Sequence, residues 1–137
     1  MSLRTVETPV RVRYSETDRM GIVYHAHYIV WFEIGRTDYC REAGMPYRAM
    51  EESGLFILVT AVDCRYRRPA RYDDALRVRT RLTEVASRGV AFGYEIVDEA
   101  GRLLAEGSTR HVFADPEGRL RRAPAGVLET LGKFRES

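Results

Sequence analysis

The stretch SETDRMGIVYHAHYIVWFEIG, residues 15–35, carries the side chains with the clearest capacity for chemistry. Asp18 is a carboxylate that can act as a general base or as a nucleophile. Gly21 gives the chain a backbone freedom that other residues lack, and His25 stands where a strongly apolar segment begins. A carboxylate close to the start of a helix is well placed for such chemistry, because the unpaired backbone N–H groups there donate hydrogen bonds to an oxygen that gains negative charge.

Asp18 also has a structural interpretation, because aspartate commonly caps a helix or closes an Asx turn. A capping residue stands directly before the first helical turn, whereas the apolar pattern here begins several residues later, after Gly21. Its position argues against a cap or an Asx turn, but the residues alone leave a structural and a chemical role both open. His25 and His27 are two residues apart and do not share a helix face, and no Cys or carboxylate set usual for zinc accompanies them, so we expect no metal.

One long helix and five strands should position these residues. Residues 6–14 alternate apolar and basic side chains, which predicts a strand. From about Val23 apolar residues recur at three- and four-residue steps, which predicts an amphipathic helix that ends at Gly44, with Pro46 preventing continuation. A short helix and connector should follow, over residues 45–54. The polar side of the long helix collects Glu33, Arg36, Thr37 and Arg41.

The second half of the chain reads as strands separated by turn residues. The predicted strands are 55–68, 75–85, 90–98 and 102–114. The breaks between them are Pro69 with Asp73-Asp74, Ser87-Arg88-Gly89 and Glu99-Ala100-Gly101, so sequential antiparallel pairing is expected. The sequence therefore predicts an α+β fold in which an antiparallel sheet wraps the long helix. The tail from Pro116 should carry a short helix over residues 126–134 that lies at the periphery and matters little to the core.

Composition limits the classes of function. The 137 residues suit a single domain, residues 1–137, and 45% hydrophobic with 31% charged residues is ordinary for a globular protein. A net charge of +2 implies no general attraction to nucleic acid or to a membrane. The longest apolar stretch is broken by polar residues, so we expect no membrane span. Cys40 and Cys64 stand singly, which favours reduced thiols and a cytoplasmic protein.

The order of elements and the stretch YSETDRMGIVYHAHYIVWFEIGRTDY together resemble the hotdog-fold acyl-CoA thioesterases of the 4-hydroxybenzoyl-CoA thioesterase type. The resemblance is strongest over residues 11–44, and residues 66–80, YRRPARYDDALRVRT, support it. It implies hydrolysis of a small acyl- or aryl-CoA thioester to the free acid and coenzyme A, without a cofactor. It also implies that two subunits pair their sheets and form active sites between them, as a dimer or as a dimer of dimers.

The same resemblance assigns roles to individual residues. Asp18 becomes the catalytic carboxylate, acting on the carbonyl itself or on a water molecule, and the backbone amide of His25 becomes the donor to the carbonyl oxygen. Gly21 lets the loop pass close to the acyl group. Tyr24 and Tyr28 are expected in the pocket wall or in the core. Candidates for the phosphate groups of coenzyme A lie in the Arg65–Arg71 cluster, chiefly Arg67 and Arg68, and in the Ser87-Arg88 turn, although a solvated strand face and turn explain any one of these arginines equally well.

Two other functions remain open. A hotdog hydratase or dehydratase normally pairs a histidine with a carboxylate, and no obvious matching motif is present. A non-catalytic acyl-CoA-binding or assembly protein could use the same pocket without hydrolysis.

Overall fold

Residues 3–137 are described by the computed structural model, which places one antiparallel sheet against one long helix. Within these residues the strands are β1 (Thr5–Arg11), β2 (Phe56–Tyr66), β3 (Ala75–Ala86), β4 (Gly89–Asp98) and β5 (Leu103–Ala114). Their spatial order is β1-β3-β4-β5-β2, and neighbouring strands are antiparallel. The α-helices of this part of the chain are α1 (His27–Glu42), α2 (Tyr47–Glu52) and α3 (Ala125–Glu136). The predicted α+β fold is confirmed.

Helix α1 buries its apolar side against the sheet. Phe32 and Tyr39 are fully buried, and the ring of Phe32 stacks on that of Tyr94 with centroids 4.4 Å apart. Gly35 allows the helix to approach β3 closely, because a Cβ atom at this position would lie 2.8 Å from Cγ1 of Val78. This close packing seats the middle of α1 against β3.

Helix α1 begins at His27, later than the predicted start near Val23. The backbone of Val23 instead forms a bridge with Thr17 and donates a 2.9 Å hydrogen bond to the carbonyl oxygen of Ala70. Ala70 is distant in sequence, so the apolar pattern alone could not reveal this partner. The predicted end of the helix is confirmed, since Gly44 has a φ of 83° and follows the last helical turn.

The predicted pairing of β2 with β3 is wrong, because β2 lies at the edge of the sheet and pairs with β5. The connection that contains Pro69 and the paired aspartates is not a hairpin turn. Its first residues donate two backbone hydrogen bonds to the carbonyl oxygen of Leu104, and its last residues exchange backbone hydrogen bonds with Val12. The connection therefore crosses one end of the sheet from the β2 side to the β1 side.

Helix α3 packs on the core rather than at the periphery. Leu131 is only 1% exposed and belongs to the central hydrophobic cluster. Phe134 meets the ring of Tyr39 edge to face at 5.1 Å, and Nε of Arg135 donates a 2.8 Å hydrogen bond to the carbonyl oxygen of Leu82. The prediction of a peripheral tail is therefore wrong for this helix, whose short apolar pattern gave no sign of its partner.

Arg36 is buried, although the sequence placed it on the polar side of the long helix. Its Nε and Nη1 atoms donate hydrogen bonds of 2.7 and 3.1 Å to the hydroxyl groups of Tyr47 and Tyr94. The Tyr94 hydroxyl lies 2.6 Å from Oγ1 of Thr109, which lies 2.7 Å from Nε2 of His111. A chain of polar groups thus runs through the core from the Arg36 guanidinium to the His111 imidazole.

Burial, together with the nearby Arg36 charge, lowers the pKa of His111 from 6.5 to about 4. The unfolded chain therefore binds a proton at a higher pH than the folded chain does, and stability is lost as the pH falls from 6.5 towards 4. The shift corresponds to about 3 kcal/mol of unfolding free energy. We expect urea unfolding of the wild type to show this loss and the His111→Gln variant to lack it. Equal pH slopes in the two proteins would contradict the assignment.

Candidate active site

Asp18 lies on a tight loop between two backbone pairings. Its N–H donates a 2.8 Å hydrogen bond to the carbonyl oxygen of Ile22, and its own carbonyl oxygen accepts a 3.0 Å bond from the N–H of Gly21. Gly21 has a φ of 77°, which explains why a glycine occupies this turn. Oδ1 of Asp18 accepts a 2.8 Å hydrogen bond from the N–H of Met20, so the Asx turn that the sequence disfavoured is present.

The remaining carboxylate oxygen of Asp18 is available for chemistry. The side chain is exposed, and Oδ2 has no hydrogen-bond partner among residues 3–137. A helix-capping role is excluded, because the N-cap of α1 is Ala26, well beyond this loop. One oxygen of Asp18 therefore shapes the loop while the other remains free.

The loop that carries Asp18 is held in place by Glu16, a residue that the sequence gave no reason to select. Glu16 is 2% exposed, and its two carboxylate oxygens accept hydrogen bonds from the Arg13 N–H at 2.7 Å and from Nε1 of Trp31 at 3.1 Å. Burial alone would raise the pKa of Glu16, but these hydrogen bonds outweigh it and lower the pKa. Its carbonyl oxygen accepts a further 2.9 Å bond from the N–H of Tyr24.

The start of α1 presents unpaired backbone donors. No side chain caps the helix at Ala26, while the N–H of His27 bonds to the carbonyl oxygen of Tyr24 at 3.0 Å. In the part of the chain that the structure describes, the N–H groups of His25 and Ala26 donate no hydrogen bond. They stand at the positive end of the helix dipole, where an oxygen that gains negative charge is stabilised.

An open cleft of about 350 Å³ lies beside this helix start. Tyr28 is buried at the cleft, and its hydroxyl oxygen accepts a 3.2 Å hydrogen bond from the N–H of Ala70. The hydroxyl group of Tyr66 donates a 2.9 Å bond to the carbonyl oxygen of His25. The lining residues are Ile22, Val23, His25, Tyr28, Tyr66, Arg67, Arg68 and Pro69. The mostly apolar wall suits an acyl or aryl group.

Tyr66 holds the His25 backbone at the rim of the cleft. Burial, with the neighbouring Cys64, raises the pKa of Tyr66 to about 12, so its hydroxyl group keeps the proton that it donates. The sequence did not single out this tyrosine, because nothing in a strand pattern indicates contact with a helix start. Its position makes it a positioning residue for the free N–H groups.

We expect Tyr66→Phe to lower kcat about threefold to tenfold and to leave KM nearly unchanged, because one hydrogen bond is lost while the ring still lines the cleft. Steady-state kinetics on a thioester, the substrate class that the sequence resemblance implies, would measure both constants. Tyr72→Phe is the control, since Tyr72 is exposed and contacts Tyr14 rather than the cleft. A normal kcat in Tyr66→Phe would contradict the positioning role.

The predicted site residues fall into three places. His25, Tyr28, Arg67 and Arg68 line the cleft, and Tyr24 is exposed next to it, with its ring 4.4 Å from that of His25. Asp18 and Gly21 lie on the adjoining loop without lining the cleft of their own chain. The Ser87-Arg88 turn precedes β4 at the level of Val112, about 26 Å along β5 from Leu104, which holds Arg67 and Arg68. A single chain does not bring that turn to the cleft.

Clusters of metal-binding side chains and membrane-spanning helices are both absent from residues 3–137. No group of three or more His, Cys, Asp or Glu side chains that could hold a metal ion occurs there, so His25 and His27 have no further ligand beside them. No helix in the same residues is long and apolar enough to cross a bilayer.

Known proteins are similar to this chain in sequence and in fold. Residues 12–131 match the model of the Thioesterase-like superfamily. The acyl-CoA thioester hydrolase YbgC of Escherichia coli O6:H1 is 34% identical over 108 residues, which are 79% of this chain and 81% of that protein. The DHNA-CoA thioesterase from Staphylococcus aureus is 30% identical, with a TM-score of 0.90 over 94% of this chain and 89% of that one.

A more distant structure supports the fold alone. A 4-hydroxybenzoyl-CoA thioesterase crystallised with 4-hydroxybenzoyl-CoA is 22% identical, with a TM-score of 0.84 over 93% of this chain and 99% of that one. The resemblance and the hotdog fold inferred from the sequence are confirmed. On the match over residues 12–131, the chain belongs to the thioesterase-like superfamily.

Proposed function

We propose that this protein is an acyl-CoA thioesterase that hydrolyses a small acyl- or aryl-CoA thioester to the free acid and coenzyme A. The observation that carries the proposal is the apolar cleft at the start of α1, where the N–H groups of His25 and Ala26 have no partner in the described chain. The activities named for the relatives in Escherichia coli and Staphylococcus aureus support it.

In this proposal the helix start binds the thioester carbonyl oxygen. Negative charge grows on that oxygen as the carbonyl carbon is attacked, and the free N–H groups of His25 and Ala26 stabilise it. Asp18 either removes a proton from the attacking water or attacks the carbon itself, forming an anhydride that water then hydrolyses. In both routes a C–O bond forms, the C–S bond breaks, and coenzyme A leaves as the thiolate. Both routes need Asp18 ionised.

We propose that the complete site forms between subunits. Asp18 is exposed and does not line the cleft of its own chain, so a neighbouring subunit is needed to enclose it. Strand β2 supports such pairing, because it lies at the free edge of the sheet and its exposed apolar residues are Leu58, Val59 and Val62. We also propose that, in a dimer or a dimer of dimers, the Ser87-Arg88 turn of one chain lies near another chain's cleft. Sedimentation of the purified protein tests the number of subunits.

A panel of acyl- and aryl-CoA esters with a thiol-release readout tests the activity. We expect release of free coenzyme A together with one equivalent of the carboxylic acid. Binding of the esters without thiol release would favour the non-catalytic alternative. Addition of water to an unsaturated acyl group with the thioester intact would favour the hydratase.

The two free cysteines, Cys40 and Cys64, support a cytoplasmic location as part of this proposal.

A further inference from the structure

The imidazole ring of His25 lines the cleft with both of its nitrogens unengaged. Within residues 3–137, neither nitrogen makes a hydrogen bond, and neither lies within 4.0 Å of a carboxylate oxygen. The aromatic neighbours of the ring are Tyr24 and Tyr66, whose centroids lie 4.4 and 6.3 Å from its own. The side chain is exposed, so the ring can exchange a proton with a bound molecule.

The backbone of His25 holds this ring next to the reacting bond of a thioester bound at the helix start. Its N–H has no partner in the described chain, and its carbonyl oxygen accepts a 2.9 Å hydrogen bond from the Tyr66 hydroxyl group. When the thioester carbonyl oxygen binds the N–H, the sulfur is attached to the same carbonyl carbon and lies close to His25. Rotation about the side-chain bonds of His25 is then enough to bring a ring nitrogen to the sulfur.

Among the cleft-lining side chains of one chain, within residues 3–137, His25 alone is of a type that exchanges a proton near neutral pH. Arg67 and Arg68 keep their protons throughout this range. Burial raises the pKa of Tyr28, and it raises that of Tyr66 to about 12, so neither phenol readily gives its proton to a thiolate. The remaining lining residues have no ionisable side chain: Ile22, Val23 and Pro69.

We propose that the His25 imidazolium is the general acid that protonates the coenzyme A sulfur as the C–S bond breaks. The proposal rests on the proposed thioesterase activity and adds a side-chain role to the backbone role of His25. The electron pair of the C–S bond passes to the sulfur, a ring nitrogen gives its proton to the departing thiolate, and coenzyme A is released as the thiol. The neutral imidazole then regains a proton from water. An alkyl thiol is mostly protonated at neutral pH, so a donor at the sulfur assists its departure.

The test compares the thioesters of one acyl group with coenzyme A and with 4-nitrothiophenol, whose thiolate is stable at neutral pH and leaves without a proton. We expect His25→Gln to lower kcat on acyl-CoA about 10²-fold, the low end of the range for general acids. On the aryl thioester we expect a change of less than about threefold, because its departure needs no acid. The variant keeps the backbone N–H that binds the carbonyl oxygen, and turnover of the aryl thioester shows that it is folded.

His27→Gln is the matched control, because His27 is the first residue of α1 and does not line the cleft. It should leave turnover of both thioesters unchanged. The proposal is overturned if His25→Gln slows both thioesters equally, which would indicate a positioning role. It is also overturned if His25→Gln slows neither, since another group, from this chain or its neighbour, would then protonate the sulfur. Failure of the thioesterase function itself would look different, because the wild type would then cleave neither thioester.

Discussion

Asp18→Asn is expected to lower kcat about 10²-fold to 10⁴-fold, the range for loss of a general base or a nucleophile. The variant should fold normally. Asparagine keeps an Oδ1 atom that can accept the Met20 N–H, so the Asx turn and the loop are preserved. What the substitution removes is the negative charge on the free oxygen. Thiol release at saturating substrate measures the effect on turnover.

Asp115→Asn is a matched control for this prediction. Oδ1 of Asp115 accepts a 3.0 Å hydrogen bond from the N–H of Glu117, two residues on, which is the bond that Asp18 makes with Met20. Asp115 lies in the loop after β5 and does not line the cleft. Its variant should retain wild-type turnover. If Asp18→Asn also retained it, Asp18 would be a turn residue and the proposed mechanism would be wrong.

Glu16→Gln is expected to lower the free energy of unfolding by about 2–4 kcal/mol. Both carboxylate oxygens accept hydrogen bonds in the wild type, from Arg13 and from Trp31. A glutamine has one acceptor oxygen, so its amide N–H group would face one of these buried donors. Because the same carboxylate holds the loop that carries Asp18, turnover should fall as well. Urea unfolding at neutral pH, with parallel assays, measures both effects.

Glu33→Gln provides the comparison for Glu16, since Glu33 is exposed on α1 and its substitution should change stability little.

The pH dependence of the unfolding free energy offers a second check on Glu16. The pKa of Glu16 is lowered on folding, so its contribution is complete above its unfolded pKa of about 4.5 and is lost as the pH falls through the folded value. Glu16→Gln should lack that acid-side loss. An equally stable variant would show that the carboxylate does not hold the loop.

The helices and strands could be predicted from the local pattern of apolar and polar residues. In β3 the residues Leu76 and Val78 are buried, while Arg77 and Arg79 face outward and pair with Glu7 at 3.6 and 3.2 Å. This alternation is visible in the sequence, and it gave β3 almost to the residue. The pairing of the strands could not be predicted from this alternation. Strand β2 joins β5, and the connection that follows β2 bonds to Leu104 and Val12, which are far away along the chain. Turn residues carry no information about such partners.

The candidate site likewise contains residues that could be predicted from the local sequence and residues that could not. Asp18, Gly21 and His25 were recognised through the motif and the resemblance, since they are close in sequence. Glu16 and Tyr66 were missed. Each acts through a contact with a residue at least 15 positions away, Glu16 with Trp31 and Tyr66 with the carbonyl oxygen of His25. A buried carboxylate and a strand-end tyrosine look ordinary until the fold shows what they touch.

The central claim is that one bound acyl group meets both the Asp18 carboxylate and the free N–H groups at the start of α1. The most direct test is a crystal structure with a ketone analogue in which a methylene group replaces the thioester sulfur. We expect the ketone oxygen about 3 Å from the backbone nitrogen of His25 or Ala26. The carboxylate of Asp18, from the same subunit or its neighbour, should face the carbonyl carbon directly or through one water molecule. A ketone bound away from the helix start, or with no Asp18 facing it, would contradict the account.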